Sequence, residues 1–118
     1  NLFVRKFEYD MNMLTVSMGF NQIKRKAIKC LEEGAYIHEA RQDIDVKNLF
    51  QCEQLSEETV IELIKKTSGN DYETRPHHQV ASVDVHILKP FKDGQKWYIK
   101  FYFIDPNVIF ISVHESGV

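Results

Sequence analysis

The spacing of apolar residues changes once along the chain, from a period near 3.6 to a period of two at about residue 80. In the first part, Ile23, Ala27, Cys30 and Leu31 recur at steps of three and four behind Asn21, a candidate N-cap, and ahead of Gly34, a candidate terminator. This predicts one helix. A second is predicted from Ser56, with Glu57 and Glu58 in its first turn, Val60, Leu63, Ile64 and Thr67 on its apolar face, and Lys65, Lys66 and Gly69 closing it. Between them Val46, Leu49 and Phe50 suggest a short helical turn after Asp45.

Three runs rich in Val, Ile and aromatic residues follow, at 80–88, 96–104 and 108–113. Lys92-Asp93-Gly94 and Asp105-Pro106-Asn107 connect them, so a β-meander is expected. Helices followed by an antiparallel sheet predict an α+β fold, with the N-terminal helices packed on the C-terminal meander. The odd positions, among them Val83, Val85, Ile87, Trp97, Ile99, Phe101, Phe103, Ile109, Ile111 and Val113, are apolar and should face the helices. The even positions carry Asp84, His86, Tyr98, Lys100, Tyr102, Ser112 and His114, a mixture that a plain solvent face does not need.

Register decides which of these meet. Three-residue connections pair Phe91 with Gln95 and Ile104 with Val108, which sets His86 opposite Lys100, Lys100 opposite Ser112, and Tyr98 between Leu88 and His114. A two-residue Asp93-Gly94 turn would instead put His86 on the apolar face, against the hydrophobic pattern.

The chain has 118 residues, 43% hydrophobic and 27% charged, with no linker, repeat or low-complexity stretch, so residues 1–118 are read as a single domain. Met11 and Met13 are both candidate starts, so residues 1–10 are read as a terminal extension and no functional assignment is placed on them. The net charge of -2 excludes a polybasic nucleic-acid binder, so any nucleic-acid contact must be local. The basic cluster Lys24, Arg25, Lys26 and Lys29 reads first as a solvated helix face. Cys30 and Cys52 lack a Cys-x-x-Cys spacing and are expected as reduced thiols. No apolar run reaches the roughly 20 residues that span a bilayer, and a cytoplasmic protein without membrane partners is expected.

Two histidines, a tyrosine and a lysine on one sheet surface suit RNA cleavage without a metal. That chemistry needs a base for the ribose 2′-hydroxyl, an acid for the leaving 5′-oxygen, and cations for the phosphorane. Imidazole serves as either base or acid near neutral pH, Lys100 supplies charge, and Tyr98 a donor or stacking surface. Arg75, His77 and His78 precede the first strand run, and a loop there can complete a site, with at most one of the adjacent His77 and His78 facing it. Metal binding through Asp84, His86 and His78 or His114 is the weaker reading, because no metal-ligand spacing occurs.

The stretches Asp84-Val85-His86, Lys96-Trp97-Tyr98-Ile99-Lys100-Phe101 and Ile111-Ser112-Val113-His114-Glu115 resemble the MqsR-type toxins of bacterial toxin-antitoxin systems, within the RelE-like ribonucleases. The resemblance covers residues 80–116; the helical half matches in order and spacing. It implies a RelE-like fold, an mRNA-cleaving endoribonuclease without cofactor or metal, and two partners: an RNA substrate and a cognate antitoxin. By position it places the family's strand tyrosine on Tyr98 and the following lysine on Lys100. The family's last-strand lysine falls on His114, its aromatic residue after Asp-Val on His86, and its glutamine on Val83. A lysine near the sheet entrance has no clear counterpart, and Arg75, His77 or His78 are the candidates to replace it. The expected catalytic set is thus His86, His114, Lys100, Tyr98, Arg75 and His78. The alternative is a non-catalytic protein- or RNA-binding module using the same face; a metal-dependent phosphodiesterase is a third possibility.

Overall fold

A computed structural model describes residues 19–40 and 48–116. Residues 1–10, Met11, Met13, Asp45 and Val46, all named above, lie outside the described residues. Within them the fold is α+β, with two helices and a six-stranded mixed sheet.

Helix α1 (Phe20–Glu32) begins before Asn21: Gly19 is its N-cap, and the Gln22 side chain reaches back to accept the Gly19 N–H at 3.1 Å. The earlier start lets the Phe20 ring stack on Tyr72 at 4.5 Å. Gly34, at φ 74°, ends the helix in the left-handed region that glycine tolerates. Helix α2 (Glu57–Lys66) follows its sequence signals, since Ser56 Oγ accepts the Thr59 N–H at 3.1 Å and acidic and basic residues occupy opposite ends. Thr67 falls just beyond it, buried, with its hydroxyl donating to the Leu63 carbonyl at 2.9 Å.

Part of the basic cluster has structural work beyond solvation. Lys24 Nζ donates to the carbonyls of Lys65 and Thr67 at 2.9 and 2.8 Å, satisfying acceptors that a helix end leaves unpaired. Lys26 pairs with Asp105 at 3.0 Å and lies over the Phe103 ring, 4.5 Å from its centroid.

The strands are β1 (Tyr36–His38), β2 (Tyr72–Pro76), β3 (Asp84–Leu88), β4 (Phe91–Lys92), β5 (Gln95–Ile104) and β6 (Asn107–Glu115). They lie in the order β1-β6-β5-β3-β2, with β4 also pairing with β5. Strand β1 runs parallel to β6, and the other pairs are antiparallel. Both sheet edges, β1 and β2, are absent from the periodicity reading because they are short and lie outside the three long apolar runs. Arg75, expected in a loop, therefore sits in β2 opposite Val85.

The register of the first hairpin corrects the expectation. Asp93 and Gly94 have φ of 54° and 77°, and two successive positive φ values make a type I′ turn of two residues. Lys92 pairs with Gln95, and further along His86 pairs with Phe101, Ile87 with Lys100 and Leu88 with Ile99. The whole of β3 is one step out from the expected register. His86 and Leu88 turn toward the helices, while Val85 and Ile87 turn to the other face.

The second hairpin is also tighter than expected, with Ile104 opposite Asn107. A register shift between Lys100 and Phe101 takes up the difference, so Tyr98 still opposes His114 and Lys100 still opposes Ser112. Beyond the shift, Phe110 opposes Phe101 and enters the main core, while Ile109 opposes Tyr102 on the far face.

That core lies between the helices and one sheet face. It includes Ile23, Ala27 and Leu31 of α1, Val60, Leu63 and Ile64 of α2, and Leu88, Ile99, Phe101, Val108, Phe110 and Val113 from the sheet. The far face carries a smaller apolar cluster of Val85, Ile87 and Ile111, with Tyr98 and Tyr102 packed on it.

Candidate functional site

The far face of the sheet brings together most of the chemistry anticipated from sequence. Tyr98 and Lys100 alternate along β5, and their cross-strand partners on β6 are His114 and Ser112. The Tyr98 and His114 rings stack at 5.1 Å between centroids. His114 is largely buried, and its Nδ1 lies 2.7 Å from the Glu115 carbonyl oxygen. A carbonyl only accepts, so Nδ1 carries a hydrogen and in the neutral ring Nε2 keeps its lone pair. That tautomer leaves Nε2 as the acceptor atom of the ring.

Arg75, on β2 two strands from Lys100, extends an exposed guanidinium whose neighbour is Glu73 at 3.4 Å. Glu73 also pairs with Lys89 at 3.3 Å. These two cations hold the Glu73 carboxyl below its ordinary range, the Lys89 hydrogen bond being the main cause.

Beside Lys100 the face opens into a cleft of about 790 Å³, whose wall includes Glu39, Arg75, His77, His78, Val85, Lys100, Tyr102 and Ile111. Strand β1 delivers Glu39 to its rim, where the Glu39 N–H donates to the Phe110 carbonyl at 2.8 Å. The Tyr102 hydroxyl donates to Glu39 Oε1 at 2.7 Å. His77 Nδ1 accepts the N–H groups of Gln79 and Val80 at 3.1 and 3.3 Å, so its Nε2 carries the hydrogen and donates to the same Oε1 at 3.4 Å. Burial pushes the Glu39 carboxyl up, but the bonds from Tyr102 and His77 and the adjacent imidazoles outweigh it and leave the group below its usual range. Tyr102, half-buried and bonded to that carboxylate, is pushed up to about 12.

Both His77 and His78 line the cleft, although adjacent side chains were expected to diverge. The bonds to Gln79 and Val80 curl the chain after His77, and the two rings stack at 5.0 Å with His78 exposed. With both nitrogens engaged, His77 is a fixed wall of the site and not a free base.

His86 is the main correction. It lies on the helix face, 5% exposed, between Phe101 and Phe103 at 5.6 and 5.5 Å, with the Tyr72 hydroxyl 2.9 Å from Nδ1. The two-residue turn is the cause, and the sheet separates His86 from Lys100 and His114. Burial pushes its pKa down to about 4, with Asp84 opposing and Lys26 adding to the shift. His86 and His114 therefore lie on opposite faces of the sheet and form no acid–base pair.

Among the described residues no three His, Cys, Asp or Glu side chains gather as a metal would require. Nor is any helix there long and apolar enough to cross a membrane. Comparison of the chain with protein-family models and with curated proteins gives no match.

Glu39 and Tyr102 are the members of this site that sequence reasoning missed. Tyr102 stands on the even face with no role of its own in the sequence pattern, and Glu39 follows a three-residue strand too short to show a period. The alternation Tyr36-Ile37-His38 after Gly34 was the available signal.

Proposed function

We propose that this chain is a metal-independent endoribonuclease that cleaves single-stranded RNA in the cytoplasm, as a toxin held in check by a cognate antitoxin. The observation that carries the reading is the arrangement of His114 Nε2, Lys100 and Tyr98 on one sheet face, with Arg75 across the adjoining cleft. The resemblance of residues 80–116 to MqsR-type toxins, which runs through the same strands, supports it as well.

In this mechanism the ribose 2′-oxygen attacks phosphorus while His114 Nε2 takes its proton. The bond from phosphorus to the 5′-oxygen breaks, and the same imidazolium returns the proton to that oxygen. The products are a 2′,3′-cyclic phosphate and a 5′-hydroxyl end. Lys100 and Arg75 stabilise the phosphorane charge, and the Tyr98 ring holds the imidazole in place by stacking. Compared with the sequence reading, one imidazole performs both transfers and His86 takes no part.

The purified protein is expected to cut RNA in excess EDTA and leave cyclic-phosphate ends. His114→Ala should lower the rate by ~10²–10⁴, the usual worth of positioned proton transfer, and relieve growth arrest on expression. His86→Phe should retain cleavage. RNA that binds but stays intact would identify a binding module instead, and cleavage abolished by EDTA would point to a metal enzyme.

A further inference from the structure

We infer that the cleft beside Lys100 is a nucleobase subsite in which Glu39 accepts a hydrogen bond from an exocyclic amino group, so that the protein discriminates against uracil. This rests on the RNA-cleaving reading and assigns the base specificity of that site.

Three features of the cleft carry it. The first is size, since about 790 Å³ lies within the range of small-molecule sites and accommodates a nucleotide. The second is the distribution of charge. One carboxylate sits on the wall, while the cations Arg75 and Lys100 line the same cavity. A nucleotide carries the complementary pattern, with donors on its base edge and an anionic phosphate. An acidic peptide would meet Glu39 unfavourably, and a basic one would meet Arg75 and Lys100.

The third is the preorganisation of Glu39. Tyr102 and His77 both bond Oε1, which fixes the carboxylate plane, and among the described residues Oε2 has no hydrogen-bond partner. An ionised carboxylate only accepts. The amino groups of cytosine, adenine and guanine satisfy it, whereas uracil offers a single ring N–H between two carbonyl oxygens that the carboxylate repels. The exposed His78 ring, stacked on His77, offers the base a flat surface, and Val85 and Ile111 line the cavity with apolar contact. Tyr102 lies four residues from Tyr98 on the same strand, about 13 Å along it, so a base in the cleft and a phosphate at His114 are within the reach of neighbouring nucleotides.

Cytidine and uridine monophosphates make the cleanest probes, because they differ only in the amino or carbonyl group and its adjacent ring nitrogen. Titrated by NMR into the full chain, the cytidine nucleotide should bind about five- to tenfold more tightly, the lower range for a base-edge contact. The shifts should centre on Tyr102, Val85 and Ile111. Glu39→Gln, which presents a donor as well as an acceptor, should bring the ratio to within about twofold. Tyr102→Phe, which frees the carboxylate without altering its charge, should reduce it in the same direction. Equal affinity of the wild-type protein for both nucleotides, or shifts located elsewhere, would overturn the inference. RNA cleavage without any base preference would also overturn it while leaving the nuclease reading in place. A retained preference in a protein that cuts no RNA would uphold the subsite and sink the nuclease.

Discussion

His86 shows how far one side chain's role depends on which face of a sheet it occupies. On the far face it would have joined His114; on the helix face it is a neutral ring held by Tyr72 and packed on two phenylalanines. Its folded pKa of about 4 lies below the ordinary 6.5, so the unfolded chain binds more protons between those values. The stabilisation from keeping it neutral is full above pH 6.5 and is lost as pH falls toward 4. A shift of this size is worth about 3 kcal/mol. His38, lowered by burial, acts in the same direction. Urea unfolding between pH 7 and 4.5 should therefore show a steeper loss of stability for the wild-type protein than for His86→Phe; parallel curves would refute a buried neutral imidazole. His86 was visible in the sequence as a candidate, but its environment was not, because Val85-His86-Ile87-Leu88 is buried throughout and both parities of that strand carry apolar residues.

Among the elements, the hairpin between β4 and β5 exerts the widest control, since its two turn residues set the face of every side chain in β3. The Asp-Gly pair was a legible signal for a type I′ turn, and the apolar alternation argued against it. Turn chemistry won because the alternation was not decisive: Val85, Ile87 and Ile111 form a second apolar cluster on the face expected to be polar. Gly94 holds φ 77° with open space around it, so Gly94→Ala meets no clash and its cost is conformational. The substitution should destabilise by about 1–2 kcal/mol in denaturant unfolding, and a neutral result would show that the turn does not fix the register. In the second hairpin the pairs Tyr98–His114 and Lys100–Ser112 match the expected ones through a different route, a shorter turn compensated by a register shift. The pairing was legible; the compensation was not, because nothing local in 105–111 marks it.

At the level of the whole molecule, the main core and the candidate site occupy opposite sides of one sheet. Leu63 is fully buried between the helices and the sheet, and Leu63→Ala should cost about 2–5 kcal/mol, measurable by urea unfolding. The same variant, kept folded at low temperature, should keep its cleavage rate, because Leu63 belongs to the core cluster on the helix side and the candidate site lies on the other face of the sheet; a loss of rate without unfolding would show that the two sides are coupled. The separation also explains which parts of the site were readable. Tyr98, Lys100 and His114 belong to long strands whose alternation shows their common face. Glu39 reaches the cleft through a parallel edge strand far away in sequence, and that crossing leaves no local trace.

The sequence by itself determined the two helices with the Ser56 cap and the Gly34 terminator, the central parts of the three long strand runs, the α+β class and the β5–β6 pairs around Tyr98 and Lys100, because each is set by periodicity or by chemistry within a few residues. Tertiary structure alone decided the edge strands, the side on which His86 lies and the meeting of Glu39, His77 and Tyr102. These depend on how distant segments add up: a turn of one residue more or less reverses a face, and only the packing of the whole sheet against two helices selects between the outcomes.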